Sequence, residues 1–120
     1  MESTTNLKEL KEKIKRFCED RDWDQYHNAK DLAIGIITES AELLEQFRFK
    51  SEKEIEGMFI DPIKRKEICE EVADILYFIL RLAERYDIDL ANELNEKMKK
   101  NEEKYPVEKA KGLNKKYTEL

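Results

Sequence analysis

The segment that most constrains this chain is "EEVADILYFIL", residues 70–80, where six apolar side chains follow one another from Ile75 to Leu80. It lies in a long stretch of helix formers, and at about 100° per residue those six point in every direction around a helix. A helix that is apolar all round must be covered all round. With three Gly, two Pro and no sustained alternation of β-branched and polar residues in 120 positions, the neighbours available to cover it are other helices. The chain has the length of one domain with a single modest core. Four helices in one bundle would leave part of this central rod wet, so the pattern predicts an all-α four-helix bundle that self-associates as a homo-oligomer, a dimer or a tetramer. Asp74 is the one charged residue from Val72 to Leu80, and its presence there needs a reason.

Capping signals place the four helices. Asn6 with Glu9 three residues on reads as a capping box, followed by an apolar stripe of Leu7, Leu10, Ile14 and Phe17; this helix ends near "RDWDQYH". Asn28 caps the second, which carries Leu32, Ile36, Leu43 and Phe47 on one side and runs to about Phe49. A charged linker, "KSEKEIEGMF", follows. Asp61 before Pro62 is a cap with proline at the first helical position, so the third helix runs from there to about Tyr86. Asp89 caps the fourth, which fades before Pro106. Residues 1–5 and about 104–120 read as irregular termini of a single domain over 1–120.

Two acid pairs sit on the second and third helices. "ESAE" puts Glu39 and Glu42 at i and i+3, and "EVAD" does the same for Glu71 and Asp74, so each pair shares one helical face. The first stripe also holds Gly35 and Gln46 and borders the apolar arc of Leu32, Ile36 and Leu43; the second includes Phe78, one turn beyond Asp74. Antiparallel packing of the two helices would bring four carboxylates together. Unneutralised, two such charges about 5 Å apart at an effective dielectric of about 20 repel by roughly 3 kcal/mol. Either protons or a hard divalent cation must offset this, and all-oxygen ligation points to Mg²⁺ or Mn²⁺ rather than zinc. A di-iron bundle would take a Glu-x-x-His from each of two helices, and His27 is the only histidine. Taken singly, each acid is an ordinary solvated residue, and Glu67, Arg81 and Arg85 near the Asp74 stripe suggest that part of this face is wet.

Charge narrows the partners. With 23 Lys plus Arg against 28 Asp plus Glu, the net charge is -5, and the basic excess needed to grip a nucleic acid polymer is missing. The opening "MESTTNLKEL" lacks the apolar core of a signal peptide, and no apolar run approaches the roughly 20 residues that span a bilayer. The expectation is a soluble cytoplasmic protein without membrane partners. Cys18 and Cys69 show no CxxC spacing and read as two reduced, buried thiols.

At this point the residues resemble the MazG-like all-α nucleoside triphosphate pyrophosphohydrolases, whose signature is ExxE on one helix and ExxD on the next. More narrowly, "RDWDQYH", "ESAELLEQFRFK", "EEVADILYFILRLAERYDIDL", "KMKKNEEKYP" and "KKYTEL" look like the dCTP pyrophosphatase branch, from about Asp20 onward. The resemblance implies Mg²⁺-dependent hydrolysis of a nucleoside triphosphate, dCTP or a modified dCTP first, to the monophosphate and pyrophosphate, a nucleotide-pool cleansing activity. It implies metal ligation by Glu39, Glu42, Glu71 and Asp74, with Glu39 or Glu42 acting on the attacking water. It further places Trp23, His27, Phe49 and Phe78 near the base, and Lys97 and Asn101, at i and i+4 on the fourth helix, at polar contacts to the substrate. Two departures bear on the base: Phe49 stands where the branch carries tryptophan, and Phe78 where it carries tyrosine. The competing reading is a non-catalytic helical oligomerisation module whose acids merely bind a cation.

Overall fold

The computed structural model describes residues 1–120, every regular element of which is helical. The chain divides into two compact units, Met1–Asp87 and Ile88–Leu120. The first holds α1 (Leu7–Asp20), α2 (Ala29–Phe47), α3 (Glu52–Ile60) and α4 (Pro62–Arg85), and the second α5 (Leu90–Lys104), α6 (Val107–Ala110) and a single 3₁₀ turn at Tyr117–Glu119.

All four caps foreseen from the sequence hold their helices, although the capping box expected at Asn6 is only half formed: Glu9 Oε1 accepts from the Asn6 side-chain amide at 3.4 Å instead of the Asn6 backbone N–H. Asn6, Asn28 and Asp89 each accept the N–H of the residue three positions on, at 2.9 Å, 2.9 Å and 3.0 Å, and Asp61 accepts that of Ile63 at 2.9 Å. Side-chain oxygens there satisfy donors that a helix start leaves unpaired.

The expected linker is instead a helix, so the chain has more helices than the four anticipated. Ser51 and Glu54 form a reciprocal capping box, Ser51 Oγ accepting from Glu54 N–H and Glu54 Oε1 from Ser51 N–H, both at 3.2 Å. Its charged residues line the outer side, while Ile55 and Met58 are half-buried and Phe59 stacks on Phe47 of α2 at 6.1 Å. The tail is likewise not wholly irregular. Pro106 caps α6, Gly112 turns the chain with φ 77°, and Tyr117 meets Tyr105 edge-to-face at 6.0 Å. The Tyr117 N–H donates to Tyr105 Oη at 3.3 Å.

In the first unit α4 is the central rod, packed against α1, α2 and α3. Ile68, Leu80 and Ala83 of α4 are buried together with Leu32 of α2 and Cys18 of α1. Within one chain the apolar run is not covered all round, because Leu76 remains 42% exposed, as does Val72 just before the run at 49%. Cys18 fits the expectation of a buried thiol, its Sγ 3.3 Å from Tyr77 Oη. Cys69 does not: it is a free thiol on the exposed side of α4. No helix is long and apolar enough to cross a membrane.

Candidate acid site between the second and fourth helices

Three contacts show that α2 and α4 run antiparallel. The Ala29 N–H at the start of α2 donates to Tyr86 Oη just past the end of α4, at 2.8 Å. Gly35 lies against Phe78, and Gln46 near the end of α2 donates to the carbonyl of Glu67 near the start of α4, at 3.3 Å. The acid pairs fall between these contacts, and helical spacing turns them toward each other.

Glu39, Glu42 and Glu71 each offer a carboxylate oxygen within 4.8 Å of the other two. Two of these acids also carry an orphan: Oε2 of Glu39 and Oε2 of Glu71 are shielded from solvent with no hydrogen-bond partner, as is Oε1 of nearby Gln46. Buried oxygens without donors are costly. Burial, a shared hydrogen bond with Glu42 and the charges of Glu42, Asp74 and Glu71 push the Glu39 carboxyl up to about 7. Burial, then Glu42 and Asp74, also raises Glu71. An oxygen-only cluster that resists its own ionisation is the setting that a hard divalent cation relieves. The donor set therefore fits Mg²⁺ or Mn²⁺.

Asp74 is not one of the trio. It lies one turn on from Glu71 with its side chain exposed, close enough for its charge to raise both Glu39 and Glu71. Phe78, a further turn along, is half-buried, and its ring packs edge-to-face on Tyr77 at 5.1 Å. A Cβ on Gly35 would stand 2.5 Å from two Phe78 ring carbons. Only glycine lets α2 come this close to the ring, one turn before Glu39. The sequence put Gly35 on the acid stripe without showing that it sets this approach.

Trp23 and His27 occupy the turn between α1 and α2, their rings 5.8 Å apart, with Trp23 edge-on to Phe17 at 5.6 Å. Arg81, read from the sequence as part of a wet face, is instead fully buried at 0% exposure. It reaches this turn, donating from Nε to His27 Nδ1 at 2.9 Å and from Nη2 to Asp24 Oδ1, and it pairs through Nη1 with Glu84 at 2.6 Å. Burial opposes the guanidinium charge, but hydrogen bonding to Asp24 and the charges around it outweigh that. Periodicity gives no sign of the links to His27 and Asp24, which are 54 and 57 residues away, while Glu84 is a local partner three residues on.

Phe49 is not gathered with these groups. It follows α2 in a left-handed conformation (φ 63°), 91% exposed, with the Arg48 guanidinium 4.6 Å over its ring. Lys97 and Asn101 stand one turn apart on α5 of the second unit, Lys97 exposed and Asn101 half-buried.

An antiparallel helix pair with a carboxylate cluster at its centre defines this protein as an all-helical, acid-site bundle. Residues 34–120 match the MazG-like family, and the chain belongs to that family. It is 33% identical over 114 residues to rat dCTP pyrophosphatase 1, covering 95% of this chain and 67% of the relative. To the Bos taurus protein of the same name it is 33% identical over 118 residues, covering 98% and 70%. Among solved structures, a pyrophosphatase from Archaeoglobus fulgidus superposes with a TM-score of 0.77 at 37% identity, over 83% of this chain and 92% of that one.

Proposed function

We propose that this chain is a nucleoside triphosphate pyrophosphohydrolase that uses Mg²⁺, or Mn²⁺ in its place, to convert dCTP or a modified dCTP to the monophosphate and pyrophosphate. The observation that carries this reading is the trio of Glu39, Glu42 and Glu71, with buried, partnerless oxygens on two of its members. The relatives named above supply the substrate class. Because the family match runs from 34 to 120 it spans both units, which supports reading residues 1–120 as one domain.

Glu39, Glu42 and Glu71, with Asp74 beside them, would hold the cation. Bound there, it would neutralise phosphate charge and hold the triphosphate in line for attack. The protein's own part is positioning and proton handling. Glu39 or Glu42 takes the proton from the attacking water, as a carboxylate that a bound cation keeps ionised near neutrality can do. By the family resemblance, Trp23, His27 and Phe78 are assigned to the base, where aromatic faces can stack, as is Phe49 although it stands exposed and apart from them within one chain, and Lys97 and Asn101 are assigned to polar contacts with the substrate.

Pyrophosphate release from a panel of deoxynucleoside triphosphates, with and without Mg²⁺, tests the reading, with Asp74→Asn and Glu42→Gln as controls. The expected result is Mg²⁺-dependent turnover with dCTP preferred and both variants near background. Equal trace activity in all three proteins would leave only the non-catalytic module.

Cation binding should also appear as stability. A ligand at ten times its Kd adds RT ln 11, about 1.4 kcal/mol, or roughly 5 °C in Tm for a chain of this size. Protons compete for the raised Glu39 and Glu71 carboxyls, so the shift shrinks as pH falls below about 7. Melting curves in Mg²⁺ and in EDTA that superimpose at pH values above that would contradict a cation at this site.

Self-association belongs to the same proposal. On α2, Ile34, Ile37 and Leu44 form a stripe opposite the acids and are 49%, 69% and 67% exposed, while Val72 and Leu76 of α4 are also open. Exposed apolar residues in such a stripe support self-association through this face. Ile37→Glu should reduce the mass measured by light scattering to that of one chain while helical circular dichroism is retained. An unchanged mass would place the interface elsewhere.

A further inference from the structure

The only histidine of the chain faces a guanidinium. Arg81 Nε–H donates to His27 Nδ1 at 2.9 Å. A guanidinium carries five donors and no acceptor and keeps its charge, so the ring nitrogen it meets must be unprotonated. The imidazole is thereby neutral, with its one proton on Nε2. Burial, then the charges of Arg81 and Arg85, lowers the His27 pKa from its ordinary value, and the opposing pull of Asp24 and Asp31 does not restore it.

The same buried guanidinium holds Asp24, so it grips both ends of the Asp24–His27 turn, and Glu84 takes its remaining branch. Arg85 clasps the turn from outside, donating to the backbone carbonyls of His27 at 3.3 Å and Asp24 at 3.4 Å. Trp23 immediately precedes the turn and keeps its ring against His27.

We propose that Arg81 is a positioning residue for nucleotide recognition: it ties the turn bearing Trp23 and His27 to α4 and fixes His27 as the Nε2–H tautomer. His27 then offers the ligand a hydrogen-bond donor and never an acceptor, which selects base edges that present a carbonyl oxygen or an unprotonated ring nitrogen. The part concerning the nucleotide rests on the function proposed above; the part concerning the tautomer stands on the geometry alone.

The single histidine makes the test direct. Long-range ¹H–¹⁵N spectra of the full chain, recorded at about pH 7.5 where an ordinary imidazole is neutral, read both ring nitrogens without assignment ambiguity. Wild type should show one tautomer, protonated at Nε2. In Arg81→Met the two tautomers should exchange and the imidazole pKa return toward its ordinary value. The KM for dCTP should rise about tenfold while kcat stays within about threefold, because the acids are untouched. Arg81→Lys keeps the charge and an aliphatic stem but replaces the planar fork with a single nitrogen that cannot span His27, Asp24 and Glu84 together, so it should fold and lie between the two; it carries the test if the methionine variant does not fold. A wild-type ring protonated at Nδ1 overturns the proposal, as does an unchanged KM in a variant whose tautomer is released. Absence of turnover in wild type would instead overturn the proposed function, and the ring spectra would still decide whether Arg81 holds His27.

Discussion

Glu39→Gln should lower pyrophosphate release by about 10³-fold while making the ion-free protein more stable. The loss follows from removing an anionic ligand and a proton acceptor at once, since general-base catalysis alone contributes about 10²–10⁴-fold. The gain follows from the raised carboxyl. In the folded state Glu39 titrates at about 7, against an ordinary value of 4.5. Between those values the folded protein binds more protons than the unfolded chain, so wild-type stability without the ion falls as pH rises through that window and levels off above it. Glutamine has nothing to ionise and escapes the fall. After allowance for solvent screening at a half-buried site, the benefit is roughly 1 kcal/mol. In EDTA the Tm curves of the two proteins should converge below about pH 5 and separate above about pH 7, the variant higher. Opposite signs for activity and stability distinguish a site whose acids repel one another from a variant that has merely lost its fold. A variant melting below wild type in EDTA at alkaline pH would show that the trio is not under electrostatic strain.

Much of the framework was legible because it is local. Asn6, Asn28, Asp61 and Asp89 announce helix starts through one side-chain oxygen and the N–H groups just beyond it, and all four act as read. The facing of Glu39 and Glu42 with Glu71 followed from helical spacing plus antiparallel packing. What escaped had two causes. The segment holding α3 was passed over because its charge density resembles a linker, although the Ser51–Glu54 box that starts it is as local a signal as the others. Arg81 escaped for a different reason. A charged residue is assigned to solvent by default, and its burial is offset by Glu84 three residues on together with Asp24 and His27, the last two of which the fold brings from the far side of the first unit's sequence. Asp74 shows the limit in the other direction. Spacing places it on the acid face, but whether its oxygens join the other three depends on side-chain reach, and in this structure it acts on them through its charge.

Gly35→Ala should destabilise the protein by about 2 kcal/mol although it replaces a mid-helix glycine. At an unobstructed helical position that substitution stabilises by about 0.5–1 kcal/mol, because alanine has less backbone freedom to lose. Here the new methyl would stand 2.5 Å from Cδ1 and Cε1 of Phe78 and 2.8 Å from its Cγ. Contact with Cγ means that rotating the ring does not clear the clash, and Tyr77, 5.1 Å away, packs against the same ring. The helices must part or Phe78 must leave its rotamer, and overpacking of this kind costs about 1–3 kcal/mol or more, enough to reverse the propensity gain. Truncating the side chain before Cγ removes the obstacle, so in a Phe78→Ala background the alanine at 35 should become neutral or mildly stabilising. A double-mutant cycle by urea unfolding should therefore return a coupling of about 2 kcal/mol between Gly35 and Phe78. The same displacement would reach the acids, since Glu39 follows Gly35 by one turn on α2 and Asp74 precedes Phe78 by one turn on α4. Gly35→Ala should consequently weaken the Mg²⁺-induced rise in Tm, and Phe78→Ala should restore it. Additive effects in the cycle would mean that α2 and α4 do not meet through this glycine, and the close approach that brings Glu39 to Glu71 would need another cause.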